Sequence, residues 1–188
     1  MVVTSVITMK QANVRFNYDD YLQLPEDKRY EILGGELYGL PTPSTRHQRV
    51  SLELLVALMR HTEEGGLGEM FCAPCDVVFS ADNVAQPDIL FIGTERSGII
   101  GEANIQGAPD FVIEILSPKT REKDLTFKRE IYARFGVREY WIVDPDAKTI
   151  EVLSWTVEGY RTEAFMAQAG TIGSPLFPSL NLRLSEVF

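Results

Sequence analysis

Residues 111–116 form an apolar run that is interrupted by a single charged side chain, Glu114. The branched and aromatic residues of this run are typical of a buried β-strand. An ionised carboxylate in such a strand costs several kcal/mol unless a cation or hydrogen bonds compensate it. The fold must therefore bring a compensating group onto the strand face that carries Glu114.

A second acid, Asp88, stands at the start of another apolar segment, residues 88–92. We expect the strands of Asp88 and Glu114 to be neighbours in one sheet. Two acids on neighbouring strands indicate a shared site, for which a divalent cation is the simplest compensating charge. The alternative is that Asp88 only caps the end of its strand.

The segment after the Glu114 strand predicts a helix over about residues 117–135. Four residues at spacings of three and four share its inward face: Leu125, Lys128, Tyr132 and Phe135. Lys128 is a cation on an otherwise apolar face, so we expect it to contact Glu114, and its spacing from Asp124 permits an i,i+4 pair. A buried ion pair with no further role gives the same pattern.

The order of the predicted elements is typical of an α/β (α+β) fold with a mixed central sheet flanked by helices. A short helix and a hairpin around Gly34-Gly35 come first, followed by a long helix over residues 45–61. The predicted strands lie at about residues 69–79, 88–92, 111–116 and 140–143, before a C-terminal hairpin. The helix between the last two of these strands predicts that they run parallel.

We expect a single domain over residues 1–188, with an N-terminal extension and hairpin at 1–43 and the core and C-terminal strands at 44–188. The sequence shows neither a transmembrane segment nor a secretory signal, which predicts a cytoplasmic protein without a membrane partner. The net charge of −9 argues against strong non-specific binding of nucleic acid. Residues 119–138 nevertheless hold seven basic and three acidic residues, compatible with a local phosphate contact or with a solvated helix face.

Several short motifs of this sequence occur together in one known protein family. They lie at residues 30–37, 47–48, 87–88, 109–118 and 136–145, with Asp124, Lys128 and Tyr132 in addition. In this combination the sequence resembles the restriction endonuclease-like (Uma-type) family, which belongs to the PD-(D/E)XK nuclease superfamily. The resemblance extends from about Tyr18 to the C-terminus.

The resemblance implies a restriction-endonuclease-like core of α-β-β-β-α-β order, a magnesium or manganese cofactor, and hydrolysis of DNA phosphodiester bonds. Asp88 corresponds to the metal-binding aspartate of the family motif and Glu114 to its second acid, with the backbone carbonyl of Ile115 as a further metal ligand. Glu36 corresponds to an additional acid that the family has before the first core helix. Its position in the hairpin is equally compatible with an ordinary surface charge.

One position departs from the superfamily pattern. The catalytic lysine normally stands two residues after the glutamate, where this sequence has Leu116. A lysine on the following helix can replace it, and we favour Lys128 over Lys123 for this role. If neither lysine reaches the site, the resemblance is compatible with a weak or inactive enzyme.

Four further polar residues are candidates for supporting roles. Ser117 and Gln48 can donate hydrogen bonds at the site, and Asp124 can form an i,i+4 pair with Lys128. His47 stands at the start of an apolar helical stripe, where we favour a histidine that packs in the helix interface over one that takes part in catalysis.

Two functions from different classes fit the sequence. The first is a magnesium-dependent DNA endonuclease, and the second is a catalytically weak or inactive module of the same fold that acts in binding or assembly. A homodimer would suit a nuclease that cuts both strands of a duplex. Trp141, Trp155 and Tyr160 can supply a dimer surface, although we favour positions in the core for them.

Overall fold

The computed structural model describes residues 14–25 and 27–188. Residues 1–13 of the predicted N-terminal extension therefore lie outside the described part of the chain. No helix within the described ranges combines the length and the apolar character that crossing a membrane requires.

A six-stranded mixed sheet forms the centre of the fold, in the order β11-β10-β9-β8-β6-β3. Its strands are β3 (Gly68–Cys72), β6 (Ile89–Gly93), β8 (Phe111–Ile115), β9 (Glu139–Asp144), β10 (Thr149–Thr156) and β11 (Gly159–Ala167). β8 and β9 run parallel, as the helix between them predicted, whereas the other neighbouring pairs are antiparallel. The prediction of a mixed α/β fold is confirmed.

A second, five-stranded sheet packs against one face of the central sheet, in the order β2-β1-β5-β4-β7. Its strands are β1 (Tyr30–Leu33), β2 (Glu36–Gly39), β4 (Val77–Ser80), β5 (Asn83–Ala85) and β7 (Ile105–Gln106). The predicted hairpin is present as β1 and β2, and β1 also pairs with β5. The hairpin is thereby tied to the rest of the chain, and β1 comes to lie over the central sheet.

The single strand predicted over residues 69–79 is wrong. Residues 68–72 pair with β6 in the central sheet, whereas residues 77–80 pair with β5 and β7 in the second sheet. Pro74 lies in the connection, and a proline has no N–H with which to continue a ladder of hydrogen bonds. The chain therefore crosses from one sheet to the other at this point.

The long helix α2 (Thr45–Gly65) covers the other face of the central sheet. The hydroxyl of Ser44 caps its start by accepting a hydrogen bond from the backbone N–H of His47. Gly66 ends it in a left-handed conformation, one turn beyond the predicted end. Three short elements frame the chain ends: α1 (Tyr18–Tyr21), the strand pair β12 (Thr171–Ile172) and β13 (Leu182–Arg183), and α5 (Leu184–Val187).

The helix predicted after β8 begins at Arg121 rather than near residue 117. It consists of α3 (Arg121–Lys123), a π-helical turn (Asp124–Lys128) and α4 (Arg129–Phe135). π-Helical turns inside α-helices are frequent at functional sites. Both ends of this turn, Asp124 and Lys128, are buried ionisable residues.

Alternation along the strands divides the core into two layers. Residues 111, 113 and 115 face α2, whereas Val112 packs with the second sheet and α4. Glu114 shares the face of Val112, beneath the helix that carries Lys128 and Tyr132. The core placement predicted for Trp141 is confirmed by its complete burial.

The core position favoured for Trp155 is wrong, since Trp155 is 41% exposed, and Tyr160 is half-buried. Both contact α4 or the residues just after it. The indole N–H of Trp155 donates to the carbonyl of Ala133 at 2.7 Å, and the hydroxyl of Tyr160 donates to the carbonyl of Val137 at 2.8 Å. A homodimer built on these residues stays a prediction.

Candidate active site

A pocket of about 240 Å³ opens where β8 ends and β6 begins. Residues 40–43, Ile115 and Pro118 provide apolar walls. The polar side chains of the lining include His47, Gln86, Asp88, Glu114, Asp124 and Lys128, and Arg29, Ser44, Ser117, Lys119 and Thr120 add to them. The pocket therefore gathers most of the polar residues that the sequence had singled out.

Asp88 and Glu114 lie side by side in this pocket. β6 and β8 pair antiparallel with Ile89 opposite Ile113, so the next position of this register sets Asp88 opposite Glu114. The carboxylate Oδ2 of Asp88 accepts a hydrogen bond from the backbone N–H of Ile115 at 2.8 Å. The predicted convergence of the two acids at one end of neighbouring strands is present.

Lys128 stands at the centre of the buried charges. Its ammonium Nζ lies 2.8 Å from Oε1 of Glu31, 3.0 Å from Oε1 of Glu114 and 3.4 Å from Oδ1 of Asp124. Tyr132 adds a hydrogen bond from its hydroxyl to the same Glu114 oxygen, at 2.5 Å. The predicted contacts of Lys128 with Glu114 and Asp124 are both confirmed.

The charges in this cluster do not balance. Glu31, Glu114 and Asp124 are almost completely buried and share one lysine, with the carboxylate of Asp88 beside them. Two of the buried carboxylate oxygens, Oε2 of Glu31 and Oδ1 of Asp124, have no hydrogen-bond partner among the described residues. Excess negative charge of this kind is costly unless protons or a cation neutralise it.

The pKa values of the cluster follow from burial and from this imbalance. Burial raises the pKa of the Glu114 carboxyl well above its usual value; Lys128 opposes this effect, and the neighbouring carboxylates add to it. Burial raises the pKa of Asp124 as well. Burial by itself would lower the pKa of Lys128, but the carboxylates around it raise that pKa well above its usual value, so the lysine is charged.

The donor set fits a small divalent cation. Asp88 uses one carboxylate oxygen in hydrogen bonds to Ile115 and His47, and Glu114 uses one in hydrogen bonds to Lys128 and Tyr132. The second oxygen of each acid has no hydrogen bond to a described residue, and both residues line the pocket. No group of three or more His, Cys, Asp or Glu side chains in the described ranges forms a complete metal site. Magnesium commonly uses one or two carboxylates together with water and substrate phosphates, so two acids suffice.

His47 supports Asp88 from the first turn of α2. Its Nε2 lies 3.2 Å from Oδ2 of Asp88, while its buried Nδ1 has no described partner. Burial by itself would lower the pKa of His47, but the hydrogen bond and charge of Asp88 outweigh burial and raise it. Ser117 also lines the pocket, and its hydroxyl shares a hydrogen bond of 2.9 Å with Thr120.

Three predicted site residues lie outside the cluster. Glu36 is exposed on the hairpin and accepts a hydrogen bond from the hydroxyl of Tyr38 at 2.6 Å. The ammonium of Lys123 lies 4.7 Å from the centre of the same tyrosine ring. Gln48 is exposed on α2 and does not line the pocket. The structure thus corrects the expectation that these three side chains reach the acids.

Glu31 is the acid that the hairpin contributes instead of Glu36. β1 lies over the central sheet, and the completely buried Glu31 accepts hydrogen bonds from Lys128 and from the backbone N–H of Gln86 at 2.8 Å. The sequence held a usable signal for this residue, since Glu31 stands inside a short strand between apolar residues, as Glu114 does. Glu36 faces solvent because it begins the outer strand of the hairpin.

Comparisons with known proteins agree with this architecture. The chain matches the sequence profile of the Uma2 family, described as "Putative restriction endonuclease", over residues 18–185. A crystal structure of a "putative nuclease belonging to DUF820" from Anabaena variabilis ATCC 29413 is 24% identical and superposes with a TM-score of 0.77. The alignment covers 92% of this chain and 97% of that chain, and at this identity it shows a shared fold. No match was found among curated proteins.

The family match spans the hairpin, both sheets, the pocket and the helix that carries Lys128. The chain therefore belongs to the Uma2 family of restriction endonuclease-like proteins.

Proposed function

We propose that this protein is a magnesium- or manganese-dependent endonuclease that hydrolyses DNA phosphodiester bonds. One observation carries the proposal: Asp88 and Glu114 lie side by side in a pocket whose acids outnumber its cations. Membership of a restriction endonuclease-like family supports DNA as the substrate. The phosphodiester linkage is the bond on which such a site would act.

Asp88 and Glu114 are the residues that would hold the metal. When bound, magnesium supplies a Lewis acid that polarises a phosphoryl oxygen and lowers the pKa of a coordinated water. The backbone N–H of Ile115 and the imidazole of His47 orient Asp88 through one oxygen and leave the other toward the pocket. The carbonyl of Ile115 stays a proposed ligand.

Lys128 takes a positioning role in this proposal. Lys128 is 2% exposed and its ammonium contacts three carboxylates, so it holds Glu114 and Glu31 in place rather than reaching a substrate. Together with the hydroxyl of Tyr132 it fixes one oxygen of Glu114. Both contacts keep the second oxygen oriented for metal binding, which is the usual task of groups behind a metal ligand.

The test is cleavage of supercoiled plasmid and of a labelled duplex with magnesium or manganese. We expect Asp88→Asn and Glu114→Gln each to lower the rate by about a hundredfold or more, with the fold retained. Asp110→Asn is the matched control, since Asp110 is a buried acid next to the same strand but outside the pocket. Absence of cleavage by the wild-type protein with either metal would remove the proposed activity.

A module without catalysis is the second candidate function. It is favoured by Leu116 at the position of the usual lysine and by the complete engagement of Lys128 with carboxylates. Under this alternative, the wild-type protein binds DNA or a partner but no metal-dependent cleavage is seen. Metal titration and cleavage measured on the same preparation separate the two functions.

A further inference from the structure

Arg29 is a cation on the pocket wall. It directly precedes β1 and lines the pocket that contains Asp88 and Glu114. Among the described residues it forms no ion pair, whereas Lys128 is enclosed by three carboxylates. Arg29 is therefore better placed than Lys128 to meet an anion that enters the pocket.

A buried glutamine sets the orientation of the Arg29 side chain. The Nε of Arg29 donates to Oε1 of Gln86 at 2.7 Å. The side-chain amide of Gln86 donates to Oδ1 of Asp76 at 2.7 Å and to the hydroxyl of Tyr21 at 3.1 Å, and its backbone N–H donates to Glu31. Gln86 is 7% exposed and is held at both ends, so it fixes one edge of the guanidinium. The two terminal nitrogens of Arg29 have no hydrogen-bond acceptor among the described residues.

Arg29 also stands at the junction of two pockets. A second pocket of about 340 Å³ shares Arg29 and residues 40–43 with the pocket of the acids. Lys28 lines this second pocket, and Lys119 lines the first. The two pockets thus adjoin at Arg29, and the second is lined by the cation Lys28 and the acid Asp27.

We propose that Arg29 is a phosphate-binding residue, whose terminal nitrogens contact a phosphate of a nucleic-acid strand that extends from the acids into the second pocket. A planar guanidinium whose terminal nitrogens have no acceptor in the described part of the chain suits two parallel hydrogen bonds to phosphate oxygens. Such a contact would let a protein of net charge −9 bind the phosphates of a nucleic acid at one local cation. The inference rests on the proposed function for the identity of the strand.

The test compares Arg29→Gln and Arg29→Lys with the wild-type protein. The probe is a short fluorescein-labelled single-stranded DNA, and its anisotropy is followed in calcium buffer over a series of salt concentrations. We expect Arg29→Gln to weaken binding about tenfold and to lower the slope of log affinity against log salt by about one, because one phosphate contact is lost. Arg29→Lys keeps the charge but cannot form bidentate hydrogen bonds, so it should retain part of the affinity for DNA.

Arg161→Gln is the matched control, since it removes an exposed arginine of β11 that pairs with Glu163. The affinity of this variant for DNA should stay within about twofold of the wild-type value, and the melting temperature of each variant checks the fold.

Three results would overturn the inference. They are equal DNA affinity of Arg29→Gln and wild type, an equal loss of affinity in Arg161→Gln, and no DNA binding by the wild type. Loss of binding in Arg29→Gln without any metal-dependent cleavage by the wild type would refute the nuclease and leave the phosphate site. Cleavage by the wild type with unchanged binding in Arg29→Gln would refute only the phosphate site.

Discussion

Strand β8 has a buried acid at each end, and the two acids are compensated in opposite ways. Asp110, just before the strand, is 2% exposed and accepts a hydrogen bond from the backbone N–H of Gly93 at 2.9 Å. Two arginines, Arg96 at 3.0 Å and Arg138 at 3.5 Å, contact its other oxygen. This one carboxylate therefore has two cations and a backbone donor.

Glu114, near the far end of the same strand, is 3% exposed and shares one cation with other acids. Lys128 contacts Glu114, Glu31 and Asp124 together. Oε2 of Glu31 and Oδ1 of Asp124 have no hydrogen bond to a described residue, although the latter oxygen lies 3.4 Å from the ammonium. Asp110 and Glu114 are thus buried to a similar extent, but only Glu114 has fewer neighbouring cations than neighbouring acids. Burial alone therefore does not mark a functional acid, whereas missing compensation does.

Removal of the shared cation should give the largest effect on stability. We expect Lys128→Met to lower the free energy of unfolding by about 3 to 5 kcal/mol, because it leaves several buried carboxylates without their partner. Urea unfolding of the wild-type and variant proteins measures this difference. A loss below about 1 kcal/mol would mean that the acids around Lys128 are already neutral, so that the two ends of β8 do not differ in charge compensation.

Removal of the charge at the compensated end should cost less. Asp110→Asn keeps a hydrogen-bond acceptor for Gly93 but loses the attraction of two arginines that are themselves partly exposed. We expect a loss of about 1 to 2 kcal/mol by urea unfolding, with the rate of DNA cleavage unchanged. Loss of cleavage in a folded Asp110→Asn protein would show that the two ends of β8 are not functionally distinct.

Removal of one charge at the undercompensated end should have the opposite sign. Glu31→Gln retains an acceptor for Lys128 and Gln86, and it replaces the unpartnered Oε2 with an amide. We expect the metal-free variant to be as stable as the wild type or more stable by up to about 1 kcal/mol. Calorimetric melting in the presence of a chelator measures this, and a loss above about 2 kcal/mol would contradict the charge imbalance.

The smallest effect concerns Asp144, a second compensated acid, and its pH dependence. Burial would raise its pKa, but hydrogen bonds from the backbone N–H groups of Ala147 and Asp146 and the charge of Arg121 lower it. A carboxyl whose pKa is depressed by folding stabilises the protein at pH values above its pKa in the unfolded chain, about 4. This stabilisation is lost as the pH falls through the pKa of the folded state. The stability difference between the wild type and Asp144→Asn should therefore be below about 1 kcal/mol at neutral pH and vanish in acid. A difference that grows in acid would contradict this sign.

Local patterns predicted much of the fold and part of the site. The alternation in residues 111–116 and the inward stripe of the next helix placed Glu114 and Lys128 face to face, because each pattern depends only on neighbours in sequence. The parallel pairing of β8 and β9 followed from the length of the connecting helix. These inferences needed no knowledge of the second sheet.

The remaining features depend on contacts between distant segments. Glu31 reaches Lys128 only because β1 pairs with β5 across the central sheet. The apolar neighbours of Glu31 indicate its burial, but residues 30–37 alone do not show which residue it meets. The chain crosses between the two sheets at Pro74 and so divides one predicted strand in two. The alternation of side chains along a strand does not reveal such a crossing. The role inferred for Arg29 likewise depends on Gln86, which lies in a different strand connection.

The proposed nuclease requires that Asp88 and Glu114 bind a divalent cation. Isothermal titration of the wild-type protein with manganese, beside Asp88→Asn and Asp110→Asn, measures this binding. We predict saturable binding by the wild type and by Asp110→Asn, and its loss in Asp88→Asn. No binding by the wild-type protein, or equal binding by the wild type and Asp88→Asn, would contradict the proposed function.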